Sequence, residues 1–153
     1  MLRARWTTLL AAARATLRRL GIRTRRLNPT ERLGRCGERA ARRHLHALGY
    51  RTLGANLRVP MGEADLVCVA PCRRRVVLVE VKARRLGAVI TPEQRTAEAA
   101  VNEAKRTTLR HILIHLARHN RWKKSATRID IVAVDFDAQD RVIEVRHHID
   151  AVR

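Results

Sequence analysis

Two short apolar runs, "DLVCVA" at residues 65–70 and "RVVLVEVKA" at residues 75–83, stand on either side of "PCRR". Both are rich in Val and Leu and too short for most helices, so a β-hairpin is the simplest structure for them. With the turn at Pro71 to Arg74, Ala70 pairs with Arg75, and the antiparallel register carries back along the first strand until Asp65 faces Glu80. Directly opposed residues have Cβ atoms about 4.5–5.5 Å apart, and like charges there are destabilising. A positive group is therefore expected between the two acids. Glu80 and Lys82, two residues apart, project from the same face of their strand. Two carboxylates, with water and a substrate phosphate completing the shell, suit Mg²⁺ or Mn²⁺. A lysine beside them can orient attacking water or stabilise charge in the transition state. The same three residues also fit a structural salt-bridge cluster. Only four lysines occur in the chain, and Lys82 is one of them.

Charge sets the class of partner. The 153 residues suffice for one domain with a real core, and they carry a formal net charge of +19. A polyanion is the expected ligand. One Tyr, one Phe and two Trp leave little aromatic surface for stacking unpaired bases, so binding is expected mainly at the phosphate backbone and should weaken steeply with salt. Cys36, Cys68 and Cys72 form an odd set without the density of a secreted scaffold, which suits a reducing, cytoplasmic setting. They read as small buried or half-buried residues rather than metal ligands, because no second pair stands at zinc-like spacing. No apolar run reaches the roughly 18–20 residues of a membrane span.

Composition changes near residue 30. Residues 1–30 hold eight Arg and no acid, with Trp6, Leu9, Leu10, Ala13, Leu17 and Leu20 near helical spacing. Residues 1–28 read as a basic amphipathic arm, either a frayed terminal helix or a segment contacting phosphate or a membrane surface. The folded domain, 29–153, is expected to begin at "NPTE". There Asn28 caps a helix, Pro29 suits the first turn, and Glu31 reaches back to the cap. That helix should run from Pro29 to about Leu48, ending near Gly49. Gly34, Glu38, Ala41, Leu45 and Leu48 repeat along one stripe, which puts Glu38 on the apolar side. A carboxylate there needs a cation, a donor or a metal; read by itself, Glu38 fits an arginine ion pair equally well.

Downstream, "YRTLGANLRVP" is strand-like. Thr91 and Pro92, with Gln94, start a helix that runs to about Asn120 and sets Val101, Lys105, Thr108 and Ile112 on one face. "TRIDIVAVDF" reads as a buried strand, "DAQD" as a turn and "RVIEVRHHI" as an edge strand. Asp130 is expected to pair with Arg128 or another arginine, and His147 and His148 to lie at the surface. The order is helix, three strands, helix, two strands.

An acid, a gap of about a dozen residues, then Glu-x-Lys resembles the PD-(D/E)xK signature of restriction-endonuclease-like nucleases and archaeal Holliday-junction resolvases. The ordered set "GRCGERAARRHLHALGYRTLGANLR", "GEADLV", "VVLVEVKAR", the helix bearing Lys105 and "RIDIVAV" more closely resembles the YraN family of small bacterial proteins, described as predicted endonucleases. The resemblance covers about Gly34 to the C-terminus. It implies an α/β fold with an α-β-β-β-α-β core, a mixed central sheet and flanking helices. It also implies a site in which Glu38 contributes a carboxylate, Asp65 and Glu80 hold the metal, and Lys82 completes the Glu-x-Lys pair. Glu63 and Lys105 match recurrent family positions. Ala64 stands where the nuclease signature has proline, as in many YraN-like sequences. Lys105, Arg84 and Arg85 are the expected nucleic-acid contacts. Resolvase-like folds often dimerise, so a homodimer is compatible with the resemblance, although no interface stripe is evident.

The functional expectation is a Mg²⁺-dependent endonuclease acting on structured or branched DNA. The alternatives are a non-catalytic nucleic-acid-binding protein that keeps the fold, and an Arg-rich accessory component of a ribonucleoprotein or membrane-surface assembly.

Overall fold

The computed structural model describes residues 28–86 and 101–152. The arm up to residue 27 and the helix start expected at Thr91, Pro92 and Gln94 lie outside the described residues.

Helix α1 (Pro29–Ala47) begins with the expected reciprocal cap. The Glu31 N–H donates to Asn28 Oδ1 at 2.8 Å, and the Asn28 N–H donates to Glu31 Oε2 at 2.9 Å. Such a cap satisfies backbone donors that have no intrahelical partner, and losing one costs about 1 kcal/mol. The helix ends at Gly49, whose φ of +84° is left-handed; there the Tyr50 and Gly49 N–H groups return to the carbonyls of Leu45 and His46. The buried residues of α1 are Gly37, Ala40, Ala41 and Leu45, not the whole stripe expected from spacing. Leu48 caps the helix and is 48% exposed, and Gly34 and Glu38 sit at the margin. The burial centre is rotated toward the small residues because they let the helix lie close on the sheet. A Cβ added at Gly37 would stand 2.5 Å from the Cβ of Ala83.

Five strands follow in spatial order β1-β2-β3-β4-β5: β1 (Arg51–Val59), β2 (Gly62–Val69), β3 (Val76–Arg85), β4 (Thr127–Phe136) and β5 (Val142–His148). All neighbours are antiparallel except β3 and β4, which run parallel. A parallel pair needs a crossover, and helix α2 (Glu103–His119) lies in that connection. The architecture is therefore α/β with a mixed sheet, consistent with a restriction-endonuclease-like core, and β5 forms the expected edge.

Strand alternation divides the core. Val77, Val79, Val132 and Val134 pack with Ala40, Ala41 and Leu45 of α1. Val76 and Leu78 of β3 and Ile129 and Ile131 of β4, on the opposite face, pack with Leu109, Ile112 and Leu116 of α2. Burying a Leu or Ile fully contributes roughly 1.5–3 kcal/mol, so these two layers hold both helices to the sheet.

Three expectations need correction. α2 is not continuous back through residue 101: Asn102 is extended and accepts from the Lys105 N–H at 2.9 Å, so the helix starts at Glu103. His147 is not a surface group. Its Nε2 lies 2.9 Å from Asp130 Oδ2 and its ring meets Tyr50 edge-on, because a carboxylate with no exposure must gather donors from its neighbours. His148 likewise has its Nε2 shielded from solvent. Among the cysteines, Cys68 is buried and Cys36 half-buried, but Cys72 is exposed in the β2–β3 turn. Asp130 does pair with Arg128, at 2.9 and 3.1 Å through two nitrogens, as its position suggested.

Candidate active site

The β2–β3 hairpin turns where expected, with Ala70 N–H donating to the Arg75 carbonyl at 2.9 Å. Its ladder runs through Val69↔Val76, Cys68↔Val77, Val67↔Leu78 and Leu66↔Val79 and then stops. The next step of that register would be Asp65 opposite Glu80. Here the strands part, and the Asp65 side chain replaces the missing main-chain acceptor: its Oδ2 receives the Val81 N–H at 2.7 Å.

The β1–β2 register shows why this happens at Asp65. Ala55 pairs with Leu66 and Leu57 with Ala64, which leaves Asn56 across from Asp65. Asn56 has φ +51°, a left-handed conformation that Asn tolerates better than most residues. The inside-outside alternation also slips here: Leu66 packs on the α1 side, while both Ala64 and Val67 pack on the α2 side. Because a backbone N–H of β3 lies in the plane of the sheet, the Asp65 carboxylate bonded to it is accessible to groups from both faces.

From the α2 face comes Glu80, which continues the line of Val76 and Leu78 and is 3% exposed. Lys82 Nζ lies 2.9 Å from Glu80 Oε1, and Lys105 Nζ, carried by α2, lies 3.0 Å from Oε2. Beyond this ion pair, Oε2 has no hydrogen-bond partner among the described residues. From the α1 side comes Glu38, whose Oε2 accepts from Asn56 Nδ2 at 2.6 Å. Glu63 is held by Arg58 at 3.2 Å near the surface.

The electrostatics reflect this convergence. Burial, followed by the charge of Glu80, raises the Asp65 pKa to about 7; Glu38 adds to the rise, while the Val81 N–H and Lys105 oppose it. Burial also raises the Glu38 pKa, with Arg35 and Arg42 pulling the other way and Glu63 reinforcing the rise. An acid whose ionisation is opposed by burial and by a neighbouring carboxylate has the oxygen chemistry a divalent cation would use. Among the described residues no three His, Cys, Asp or Glu side chains are grouped to hold a metal ion. Asp65 and Glu80 offer the hard oxygen ligands that a cation taking one or two carboxylates plus water would use.

Fold membership is decided by similarity across the same segments. The profile of the uncharacterised protein family UPF0102 matches residues 37–134, more than half of the chain. The chain belongs to that family. This UPF0102 protein is 35% identical over 114 residues to a UPF0102 protein of Moorella thermoacetica, covering 74% of this chain and 89% of the relative. It is 38% identical over 111 residues to one from Mycobacterium sp. strain KMS, covering 70% and 76%. With one from Ectopseudomonas mendocina it shares 32% over 123 residues, covering 78% and 95%. The YraN resemblance pointed to this same family, and the matched span of the UPF0102 protein contains Glu38, Asp65, Glu80, Lys82 and Lys105.

Arg84 and Arg85 of this UPF0102 protein are engaged with acids. Arg84 makes two hydrogen bonds to Asp135, at 2.7 and 3.2 Å, and Arg85 two to Asp140, at 2.5 and 2.9 Å. Asn56 is the site residue that sequence reasoning missed. Its signal was an Asn inside a strand-like run, a residue type depleted from strands. A depression of about 510 Å³ on α2, lined by Met61, His111, Ile114, His115, Arg118 and His119, shares no residue with the acidic cluster. Among the described residues, no helix is long and apolar enough to cross a membrane.

Proposed function

We propose that this protein is a Mg²⁺-dependent endonuclease that hydrolyses phosphodiester bonds in structured or branched DNA. One observation supports the reading: where β2 and β3 part, Asp65 accepts the N–H of the residue between Glu80 and Lys82, Lys82 pairs with Glu80, and Glu80 and Glu38 both act electrostatically on Asp65. When bound, a divalent ion supplies charge stabilisation at phosphate oxygens and a lowered pKa for bound water. Asp65 and Glu80 are the residues that would hold it. Lys82 would orient the attacking water or neutralise charge on the phosphate. Lys105 balances Glu80 and has the reach of a flexible ammonium to a neighbouring phosphate. The test is incubation of purified protein with labelled linear, flapped and four-way DNA, with Mg²⁺ or Mn²⁺ and with chelator. Chelator-sensitive products that disappear in Lys82→Ala are expected; no product on any substrate overturns the proposal.

A second reading, a DNA-binding protein that keeps the fold without turnover, is favoured by the two lysines that already neutralise buried Glu80. Binding retained in chelator, with intact DNA after prolonged incubation with either metal, selects it. The arm at residues 1–28 bears on the third reading, an accessory component of a larger assembly, and deletion of that arm abolishing all binding selects that one.

A further inference from the structure

Helix α1 does more than deliver Glu38. At about 100° per residue, positions three before and four after Glu38 flank it on the same side of the helix, one turn to either side. Those positions are Arg35 and Arg42, both exposed. Each acts electrostatically on Glu38, yet neither guanidinium makes a hydrogen bond or ion pair among the described residues.

Several arginines near the sheet are committed elsewhere. Arg84 and Arg146 converge on Asp135, Arg85 holds Asp140, and Arg128 holds Asp130. Arg106 donates to the carbonyls of Val101 and Ala151. A guanidinium bound to a buried carboxylate must break that pair to meet phosphate, whereas Arg35 and Arg42 can engage phosphate without losing a partner of this kind. Their Cα atoms are separated by about 10 Å along the helix, close to the rise of three nucleotides on one strand.

We infer that Arg35 and Arg42 form a two-pronged clamp for the DNA phosphate backbone, seating one strand across Glu38 at the mouth of the Asp65–Glu80 site. The clamp rests on the endonuclease reading for its substrate, and it moves the principal backbone contact from Arg84 and Arg85 to α1. It is a positioning device: the arginines hold the strand while the carboxylates and Lys82 face the bond to be cut.

The test measures binding of labelled four-way and duplex DNA by fluorescence anisotropy across a salt series, in chelator so that no cleavage occurs. The full-length chain carries Arg35→Ala with Arg42→Ala, and a control carries Arg74→Ala with Arg75→Ala at the exposed far turn of the hairpin. For two phosphate contacts the slope of log affinity against log salt should fall by about 1.8 in the α1 variant. The control should retain most of the wild-type slope, and Arg35→Lys with Arg42→Lys should restore it. Equal slopes for the α1 and control variants overturn the clamp, as does absence of DNA binding by the wild type. Because the measurement is made without divalent metal, an intact clamp on a protein that never cuts sinks the endonuclease reading alone. An unchanged slope in a protein that does cut sinks the clamp alone.

Discussion

The Asp65 carboxylate stands in for a strand: it accepts the Val81 N–H at 2.7 Å where β2 has ceased to pair with β3. The backbone donor that orients Asp65 belongs to the residue between Glu80 and Lys82. One hydrogen bond thereby ties the aspartate to both members of the Glu-x-Lys pair and explains how residues far apart in the chain keep a common register.

Asp65→Asn preserves shape and much of that hydrogen bond while removing a charge, and Lys82→Ala removes the ammonium. Each is expected to lower the single-turnover cleavage rate by about 10²–10³-fold, the scale of losing one electrostatic contact to the reacting group. DNA affinity in chelator should change less than threefold for Asp65→Asn. A cleavage rate equal to wild type in either variant contradicts the assigned site.

Near neutral pH the Asp65 carboxyl, with its pKa raised to about 7, is partly protonated, and a divalent ion has to displace that proton. Mn²⁺ affinity, measured by titration calorimetry, should therefore rise by up to about tenfold per pH unit below pH 7 and level off above about pH 8. Stability has the opposite sign without metal. The folded state holds the Asp65 proton more tightly than the unfolded chain, so this group's contribution declines as pH rises from about 4 to 7. Asp65→Asn should flatten both profiles.

Lys105→Met removes one of the two ammonium groups that meet Glu80, which is 3% exposed, and leaves the Lys82 contact in place. Since the lysine is one-third exposed, solvent screening reduces the cost to about 1–2 kcal/mol from the larger penalty of breaking a fully buried pair. A fall in melting temperature is expected, with Mn²⁺ raising it more in the variant than in wild type, because the ion replaces the lost charge. Equal Mn²⁺ shifts in a thermal scan would show that Lys105 does not share its carboxylate with the metal.

Gly37→Ala sets a methyl 2.5 Å from the Ala83 Cβ, a separation that real side chains do not sustain. The helix must retreat from β3, at a cost of about 1–3 kcal/mol in urea unfolding. Glu38 is the next residue, so cleavage should fall further than stability. Gly34→Ala is the control, since a Cβ there meets nothing within 4 Å.

Acid should unfold the sheet through two aspartates. Burial alone would raise the Asp130 pKa, but His147, Arg128 and the Asp150 N–H hold it below the usual range; for Asp135, Arg84 and Arg146 outweigh burial in the same way. A depressed folded-state pKa contributes stability that is complete above the unfolded value, about 3.9, and is lost as pH falls through the folded one. Circular dichroism should therefore show a steep loss of structure below about pH 4, shifted upward in Asp135→Asn. No shift in that variant would contradict the role given to the Arg84–Asp135–Arg146 cluster.

Local rules were sufficient for the hairpin, its turn and the α1 cap, because pairing register and capping depend on residues close in sequence. They brought Asp65 to the level of Glu80 and put Lys82 on the same face. They also found the Asp130–Arg128 pair, two positions apart on one strand. What sequence spacing alone could not supply was the third dimension at the site. Asn56, Glu38 and Lys105 come from β1, α1 and α2, and where α1 carries Glu38 depends on how closely Gly37 lets that helix approach Ala83. The same limit hid His147, whose surface-like place near the chain end gave no sign of the buried carboxylate waiting across the sheet. Chain-local chemistry determined the candidate carboxylates; only packing decided their neighbours, because a side chain's partners are set by distances that sequence separation does not encode.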